Sequence, residues 1–433
     1  MVKIFPNLLM KFSENIFRKG DCMYNIKLEN YVPKPQPAKS DKIVAAHYYG
    51  AWKKGAAGLH DGFEDLHNFP ERTPLMGYYD EENPQVYDWQ IKWAVEHGIN
   101  CFIHCWYRKK ENMGKPVTLD ALRCVHSLHE ALFNAKYQNM MKFAIMFEAS
   151  GRWCGTDKDD MIENLMPFWM DTYFKRENYL VIDNKPVLFI YGQFMLQELF
   201  SSEEEQKETF DKCREYCKKC GFDGMIIAAC VNTDLEKDKE ADIYADLMNR
   251  GYDFFFNYRF RFKDDDDSPE NILKSYRQFC ERCISFAPKS YVPIASCFWD
   301  PTPRTTQKWK DMGVNYFPYS KLWRQSPEHY REMLKICKEL SDNLPEDSMG
   351  RRMVMIDNWN EWDEGHYVAP NHEFGFKYLQ AIREELTQRD NLPDYRTPQE
   401  IGLTGYNKNW SQPDLRKVCV EKFNVQGEKE NDN

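Results

Sequence analysis

Eight short apolar runs recur along the 433 residues, each followed by a stretch with helical periodicity. That alternation leaves few folds open. The runs are residues 42–49, 100–107, 142–149, 186–192, 224–232, 253–260, 291–299 and 352–359. Several are continuously apolar, as strands covered on both faces must be. Between the first two, Val86, Trp89, Ile91, Trp93, Ala94 and Val95 follow a 3.6-residue period that stops at Gly98. Residues 119–135, 159–174, 195–221, 272–287, 329–344 and 375–386 carry the same signal. The unit between the fifth and sixth runs, 241–251, is short. Strand and helix alternating eight times predict an α/β chain with a single-domain (β/α)8 TIM barrel over residues 41–403. Asp183, Asn184 and Lys185, between two apolar runs, predict a hairpin ahead of the fourth strand. The competing architecture is an open doubly wound sheet, which needs a glycine-rich phosphate loop after its first strand. The glycines of residues 47–62 do not have that spacing.

Composition narrows the partners. The net charge is −10 without a clustered basic face, which argues against nucleic acid. No run of eighteen apolar residues occurs, so no membrane span is expected. The cysteines lie inside apolar runs (Cys101, Cys105, Cys230, Cys297) or on helical stretches (Cys124, Cys280, Cys283, Cys337). Small buried hydrophobes are distributed this way, and a disulfide framework is not. Cys213, Cys217 and Cys220 are spaced as one helix face, which favours thiols over zinc. Four aspartates at 264–267 are expected to form a solvated loop.

Residues 1–40 are expected to form an N-terminal arm, extended around Pro33, Pro35 and Pro37. Its first apolar stretch is interrupted by Pro6, Asn7 and Lys11 and lacks a cleavage site, so a secretory leader is not expected. Met23 is an alternative start. A cytoplasmic location is expected, with a periplasmic or secreted one left open. Residues 404–433 are expected to be a polar, disordered tail. The oligomeric state is not legible.

The eighth run ends abruptly. Met353–Ile356 is followed by Asp357, Asn358, Trp359, Asn360, Glu361, Trp362, Asp363 and Glu364: four acids, two amides and two indoles. Unpaired carboxylates are too costly to bury without a partner or a shifted pKa. In a barrel the C-terminal ends of the strands carry the chemistry. The other ends supply His47, Tyr48, Tyr49, Trp52, His104, Trp106, Tyr107, Arg108, Glu148, Arg152, Trp153, Tyr191, Asn232, Asn257, Tyr258, Arg259, Trp299 and Asp300. Aromatic rings beside acids and amides suit a sugar, whose CH face stacks while its hydroxyls hydrogen-bond.

The candidate catalytic pair is Glu361 and Glu364. Candidate substrate contacts are Tyr48, Tyr49, Trp52, His104, Trp106, Glu148, Tyr191, Asn232, Tyr258, Trp299, Asn358, Asn360 and Trp362. Any single one of these rings can instead be rim packing, and His47 and His104 can be satisfied core histidines. Residues i and i+3 share a side if the chain curls, which Gly365 permits. The two carboxyls can then flank one sugar, one protonated and one ionised. His366, two residues beyond Glu364, is not at ligand spacing, so no metal and no cofactor is expected.

Three blocks, 76–108, 178–192 and 356–382, resemble the WbsX-like proteins, which are related to glycoside hydrolase family 99. The matching blocks lie within residues 43–386, and the pattern NEWxEG followed by Pro is the most specific. The resemblance implies a (β/α)8 barrel and, from family 99, retaining endo-α-mannosidase chemistry. It implies Glu361 as base on the sugar's 2-hydroxyl, which attacks the anomeric carbon, and Glu364 as acid/base. Members of the WbsX branch are described as glycosyltransferases of polysaccharide assembly, which is the alternative. A transferase would need a nucleotide-diphosphate site, and no convincing one is legible. A carbohydrate-binding barrel without activity is a third reading.

Overall fold

The computed structural model describes residues 30–55, 62–149, 155–231, 240–305, 310–311 and 322–415. The expectations for the start at Met1 or Met23, for Arg152, Trp153 and Asn232, and for residues 416–433 lie outside the described residues.

The eight apolar runs form eight parallel strands: β1 Ile43–Tyr48, β2 Cys101–Arg108, β3 Lys142–Glu148, β4 Lys185–Tyr191, β5 Ile226–Cys230, β6 Phe254–Phe256, β7 Ile294–Ala295 and β8 Met353–Asn358. Their order in the sheet is β6-β5-β4-β3-β2-β1-β8-β7. The two open ends meet through one bridge, Phe255 with Tyr291, where the Val292 N–H donates to the Phe255 carbonyl at 2.9 Å. The sheet is therefore a nearly closed parallel barrel wrapped by helices, a (β/α)8 fold. Almost every residue of β1, β2, β5 and β8 is buried, as two covered faces demand.

The helices start where the sequence caps them. Asn83 caps Pro84–Glu96, Ser202 caps Glu203–Lys219, Ser268 caps Pro269–Phe286 and Ser326 caps Pro327–Asp342. In each, the side-chain oxygen accepts a backbone N–H that the first turn leaves without a partner, and three of the four place Pro directly after the cap. The short unit after β5 is the helix Glu240–Asn249. The Asp183-Asn184 hairpin forms as expected: both residues are left-handed, with φ +49° and +54°, and Val181–Ile182 pairs back on β4.

Three expectations are corrected. Residues 119–135 are not one helix. A single helical turn, Leu119–Ala121, gives way to Leu122–Arg123, which pairs antiparallel with the end of β2; Cys124 is left-handed at φ +58°, and the longer helical stretch follows from Ser127. Edge pairing wins there over helical periodicity. The seventh run splits, because Phe298–Trp299 leaves the barrel to pair with Trp323–Arg324. Residues 404–415, expected in a disordered tail, are packed: the Trp410 ring lies 5.3 Å from Phe63, edge-on and 7% exposed. The arm, where described, lies along Pro84–Glu96, with the Tyr31 hydroxyl donating to Asp88 at 2.5 Å.

Candidate active site

The strand β8 ends in a tight turn. Glu361 and His366 bridge antiparallel across it, and Gly365 turns the chain at φ +57°. A side chain at Gly365 would place its Cβ 2.5 Å from the Asp300 carbonyl oxygen, so glycine is required on two grounds. The Asp300 N–H donates to the carbonyl of Glu364 at 3.0 Å. The Asp300 carboxylate is fixed by buried Arg72 at 2.5 Å. Thus the loops after β7 and β8 are tied backbone to backbone.

Arg304, on the short helical turn Thr302–Thr305, holds three acids at once. Its Nη2 donates to Glu361 at 2.6 Å and to Asp363 at 2.8 Å, and its Nη1 donates to Glu364. The other oxygen of Glu361 accepts the Tyr258 hydroxyl at 3.0 Å and the Asn358 amide at 3.4 Å. Glu361 is 3% exposed, and burial pushes its carboxyl up to about 8; Arg304 opposes that shift and Glu364 adds to it.

Behind Glu364 stands His366, fully buried. Its Nε2 lies 3.0 Å from Glu364 and its Nδ1 3.0 Å from Asp357. Burial disfavours the charged ring, but Asp357 and Glu364 override it and hold the imidazole up at about 9. The carboxyl of Asp357 is itself raised by burial, against the pull of His366.

One oxygen each of Glu361 and Glu364 and one nitrogen of His366 lie within 4.8 Å of one another. The expectation that no histidine stands near enough to join the acids is therefore corrected, because the turn folds His366 back onto them. Arg304 already supplies the positive charge between the two glutamates, and His366 is engaged by Asp357. The cluster is an ion-paired network, and we do not assign it to a metal.

The predicted contact residues divide into two groups. Glu148 is in register with Tyr191, and the Tyr191 ring lies 5.4 Å from Tyr258. Through Tyr258 they reach Glu361, so Glu148, Tyr191, Tyr258, Asn358, Glu361 and Glu364 belong to one barrel face. Tyr191 and Tyr258 are half-buried and the Glu364 side chain is 15% exposed, which marks where this face meets solvent. The Tyr49 ring lies 5.6 Å from the Arg304 guanidinium carbon. Trp299 is buried beneath the Arg259 guanidinium, 3.9 Å away.

The second group is packed behind that face, a correction to its expected contact with sugar. Tyr48 donates to buried Glu81 and stacks on His104, which pairs with the Tyr87 hydroxyl. Trp52 stacks on Phe63 at 4.7 Å. Trp106 donates to Tyr173, and Trp362 to Tyr79. None of Tyr48, Trp52, His104, Trp106 and Trp362 is more than 1% exposed. His47 is likewise a core histidine, its Nδ1–H donating to the Asp357 carbonyl at 2.7 Å, but it is satisfied on that side only, since its buried Nε2 has no hydrogen-bond partner. Asn360 bonds the Tyr49 backbone in both directions and so positions that loop.

Arg304 was not anticipated. The residues around it carry no periodicity, and an isolated arginine in a loop gives no signal until its three acids are seen. Glu81 was missed for the same reason. It is buried among four donors: Tyr48, the Trp52 N–H, His126 and Asn360.

A parallel barrel with its acids gathered on the loop after the last strand belongs to the (β/α)8 proteins that keep their polar site at the C-terminal face. A family model described as glycosyltransferase WbsX matches residues 52–382, and the chain belongs to that family. It is 24% identical over 387 residues to the uncharacterized protein WxcX of Xanthomonas campestris pv. campestris, covering 85% of this chain and 50% of that protein. The chain thus spans about half the length of the curated relatives it matches. The GH99 endo-α-mannosidase from Bacteroides thetaiotaomicron superposes with a TM-score of 0.54 at 16% identity, over 80% of this chain and 97% of that one. Its complex with BIS-TRIS-propane gives 0.52, also at 16% identity, over 80% and 96%. These structures share the fold with the present chain.

Proposed function

We propose that the chain is a retaining glycoside hydrolase acting on an α-linked, mannoside-like polysaccharide or oligosaccharide. The observation that carries this reading is the pair Glu361 and Glu364, presented by one turn and bridged by one guanidinium. Their nearest oxygens lie within 4.8 Å. Inverting enzymes keep their carboxyls about 6.5–9.5 Å apart to admit a water, so the short spacing favours retention. The resemblance to family 99 supplies the mechanism. Glu361 takes the proton of the sugar's 2-hydroxyl as that oxygen bonds to the anomeric carbon. The glycosidic bond breaks, and Glu364 protonates the departing oxygen. Water then opens the epoxide-like intermediate, losing one proton to Glu364 and keeping the other on the new hydroxyl, while Glu361 returns to the 2-oxygen the proton it took from it. A base whose pKa lies near neutrality suits the first step.

The family's description as a glycosyltransferase supports a second reading, transfer from an activated sugar during polysaccharide assembly. One experiment separates the two. Purified protein is incubated with aryl glycosides and with plant, yeast and bacterial polysaccharides, and in parallel with nucleotide-sugars plus acceptor glycans. Products are then read for anomeric configuration by NMR. Release of a sugar with retained configuration, lost in Glu361→Gln and Glu364→Gln, supports hydrolysis. Nucleotide release that depends on an acceptor replaces it with transfer. Glycan binding without turnover leaves a carbohydrate-binding barrel.

A further inference from the structure

We infer that Glu364 and His366 work as one acid, His366 storing the proton that Glu364 hands to the leaving oxygen, with Asp357 holding His366 in place. This rests on the hydrolase reading above and deepens it. Glu364 accepts from Arg304 on one oxygen and faces His366 on the other. A guanidinium on one oxygen and an imidazole N–H on the other both favour the charged form of that carboxyl, so the geometry sets Glu364 to relay a proton and not to store one. The adjacent proton is on His366. Both of its ring nitrogens face carboxylate oxygens, at 3.0 Å each, and carboxylates only accept, so both nitrogens carry hydrogen. His366 is completely buried and Glu364 is the member that reaches solvent, so His366 acts through Glu364 as a positioning residue.

The groups around this pair belong to several elements. Asp357 comes from β8, Glu361 and Glu364 from the turn, and Arg304 from the loop after β7. Tyr258 packs edge-on to the ring at 5.4 Å from the loop after β6. His47 of β1 faces it as a neutral ring, since burial pushes its pKa down to about 3. The charge of Arg259 acts on Asp357 and favours its ionised form. Of these, only the carboxylates favour the charged imidazole, and they prevail over burial.

The step balances. As the glycosidic bond breaks, the Nε2 proton crosses to Glu364, and Glu364 passes a proton to the departing oxygen. His366 is left as neutral imidazole with its Nδ1–H on Asp357. When water attacks, its proton returns through Glu364 to Nε2. The acid form of the pair then persists to about pH 9, far above the range of a lone carboxyl.

The test uses the full chain labelled with 15N-histidine, His366 being assigned by its loss in His366→Gln. Both ring nitrogens are expected protonated at pH 7.5, titrating near pH 9, and Asp357→Asn is expected to lower that midpoint by at least one unit. A neutral ring at pH 7.5, or a midpoint that ignores Asp357→Asn, overturns the inference. On a glycan with an alkyl leaving group, His366→Gln is expected to move the basic limb of kcat/KM down by two or more units. Its deficit at pH 8 is then at least about tenfold larger than at pH 5, while the acidic limb stays put. Normal cleavage with an unmoved basic limb overturns the proton store and leaves the hydrolase intact. Cleavage of no glycan by the wild type, with the histidine titration as expected, instead rejects the hydrolase reading.

Discussion

The Nη2 atom of Arg304 lies 2.6 Å from the Oε1 of Glu361, and both side chains are under a tenth exposed. The same guanidinium also holds Asp363 and Glu364, so it neutralises three acids that the turn after β8 packs together. Arg304→Gln leaves those acids without their shared counter-charge. Breaking a buried pair by removing one partner costs about 3–5 kcal/mol, and urea denaturation should show a loss of that order. Arg304→Lys should recover part of it only, because one ammonium does not span the three carboxylates. A loss below about 1 kcal/mol for the glutamine variant, the scale of exposed pairs, would show that the clamp is not a stabilising element.

Two buried groups of the site, Glu361 and His366, should each contribute less stability as pH rises from the acid side of neutrality. Burial, against Arg304, raises Glu361 from 4.5 to about 8; His366 rises from 6.5 to about 9 because Asp357 and Glu364 outweigh burial. Both groups bind protons more tightly folded than unfolded. Their contribution is therefore complete at low pH and is lost as pH climbs through the folded values. Buried His47, His97, His104 and His129 are held below 6.5 and act in the opposite direction, so the measure is the stability difference between the wild type and Glu361→Gln, which should favour the wild type more at pH 5.5 than at pH 8.5. A difference between wild type and variant that stays constant from pH 5.5 to 8.5 would contradict the shift of Glu361.

Glu361→Gln and Glu364→Gln should each fold and lose turnover. General acid–base groups contribute about 10²–10⁴-fold, and because both act in one transition state the double variant should lose less than the product of the two. A nitrophenol leaving group needs little protonation. It should rescue the first step in Glu364→Gln and not in Glu361→Gln. Full activity of either variant on a substrate the wild type cleaves ends this assignment of roles.

Gly365→Ala forces a left-handed alanine and drives its Cβ toward the Asp300 carbonyl, 2.5 Å away. A strained backbone position of this kind costs about 1–3 kcal/mol, and the turn that presents Glu364 has to shift. The expected result is a protein less stable by that order, with kcat reduced more than KM is raised. An unchanged melting curve would mean that the turn tolerates the methyl group.

Trp410→Ala tests whether residues after 403 belong to the barrel's packing. The indole is 7% exposed and lies edge-on to Phe63, which itself stacks on Trp52. Truncating a buried Trp costs about 3–5 kcal/mol, and a loss under 1 kcal/mol in chemical denaturation would return this segment to the status of a tail.

The barrel was legible because its strands are continuous apolar runs and the helices between them keep a 3.6-residue apolar period, as Val86, Trp89, Trp93 and Val95 do. The 119–135 segment was not, since Leu122 and Arg123 satisfy β2's edge and no local pattern reports a distant edge. Glu361 and Glu364 stood out as acids that could not be buried alone. The aromatic contacts were only partly legible. A strand end names a rim position but not its facing, and Trp106 and Trp362 turn toward Tyr173 and Tyr79. Residues 404–415 misled through composition: two aromatic anchors, Tyr406 and Trp410, outweigh the polar residues around them.

The barrel closes between β6 and β7 through the single bridge from Phe255 to Tyr291, whereas β1 pairs with β8 along its length. Tyr258 follows β6 and Arg304 follows β7, so the two partners that grip opposite oxygens of Glu361 stand on either bank of the weakest seam. A fluctuation that parts the seam also parts the grip. Amides at Phe255 and Val292 should therefore exchange with solvent ahead of those in β1 and β8, and a loosened seam should be read at the carboxyl that its two banks hold.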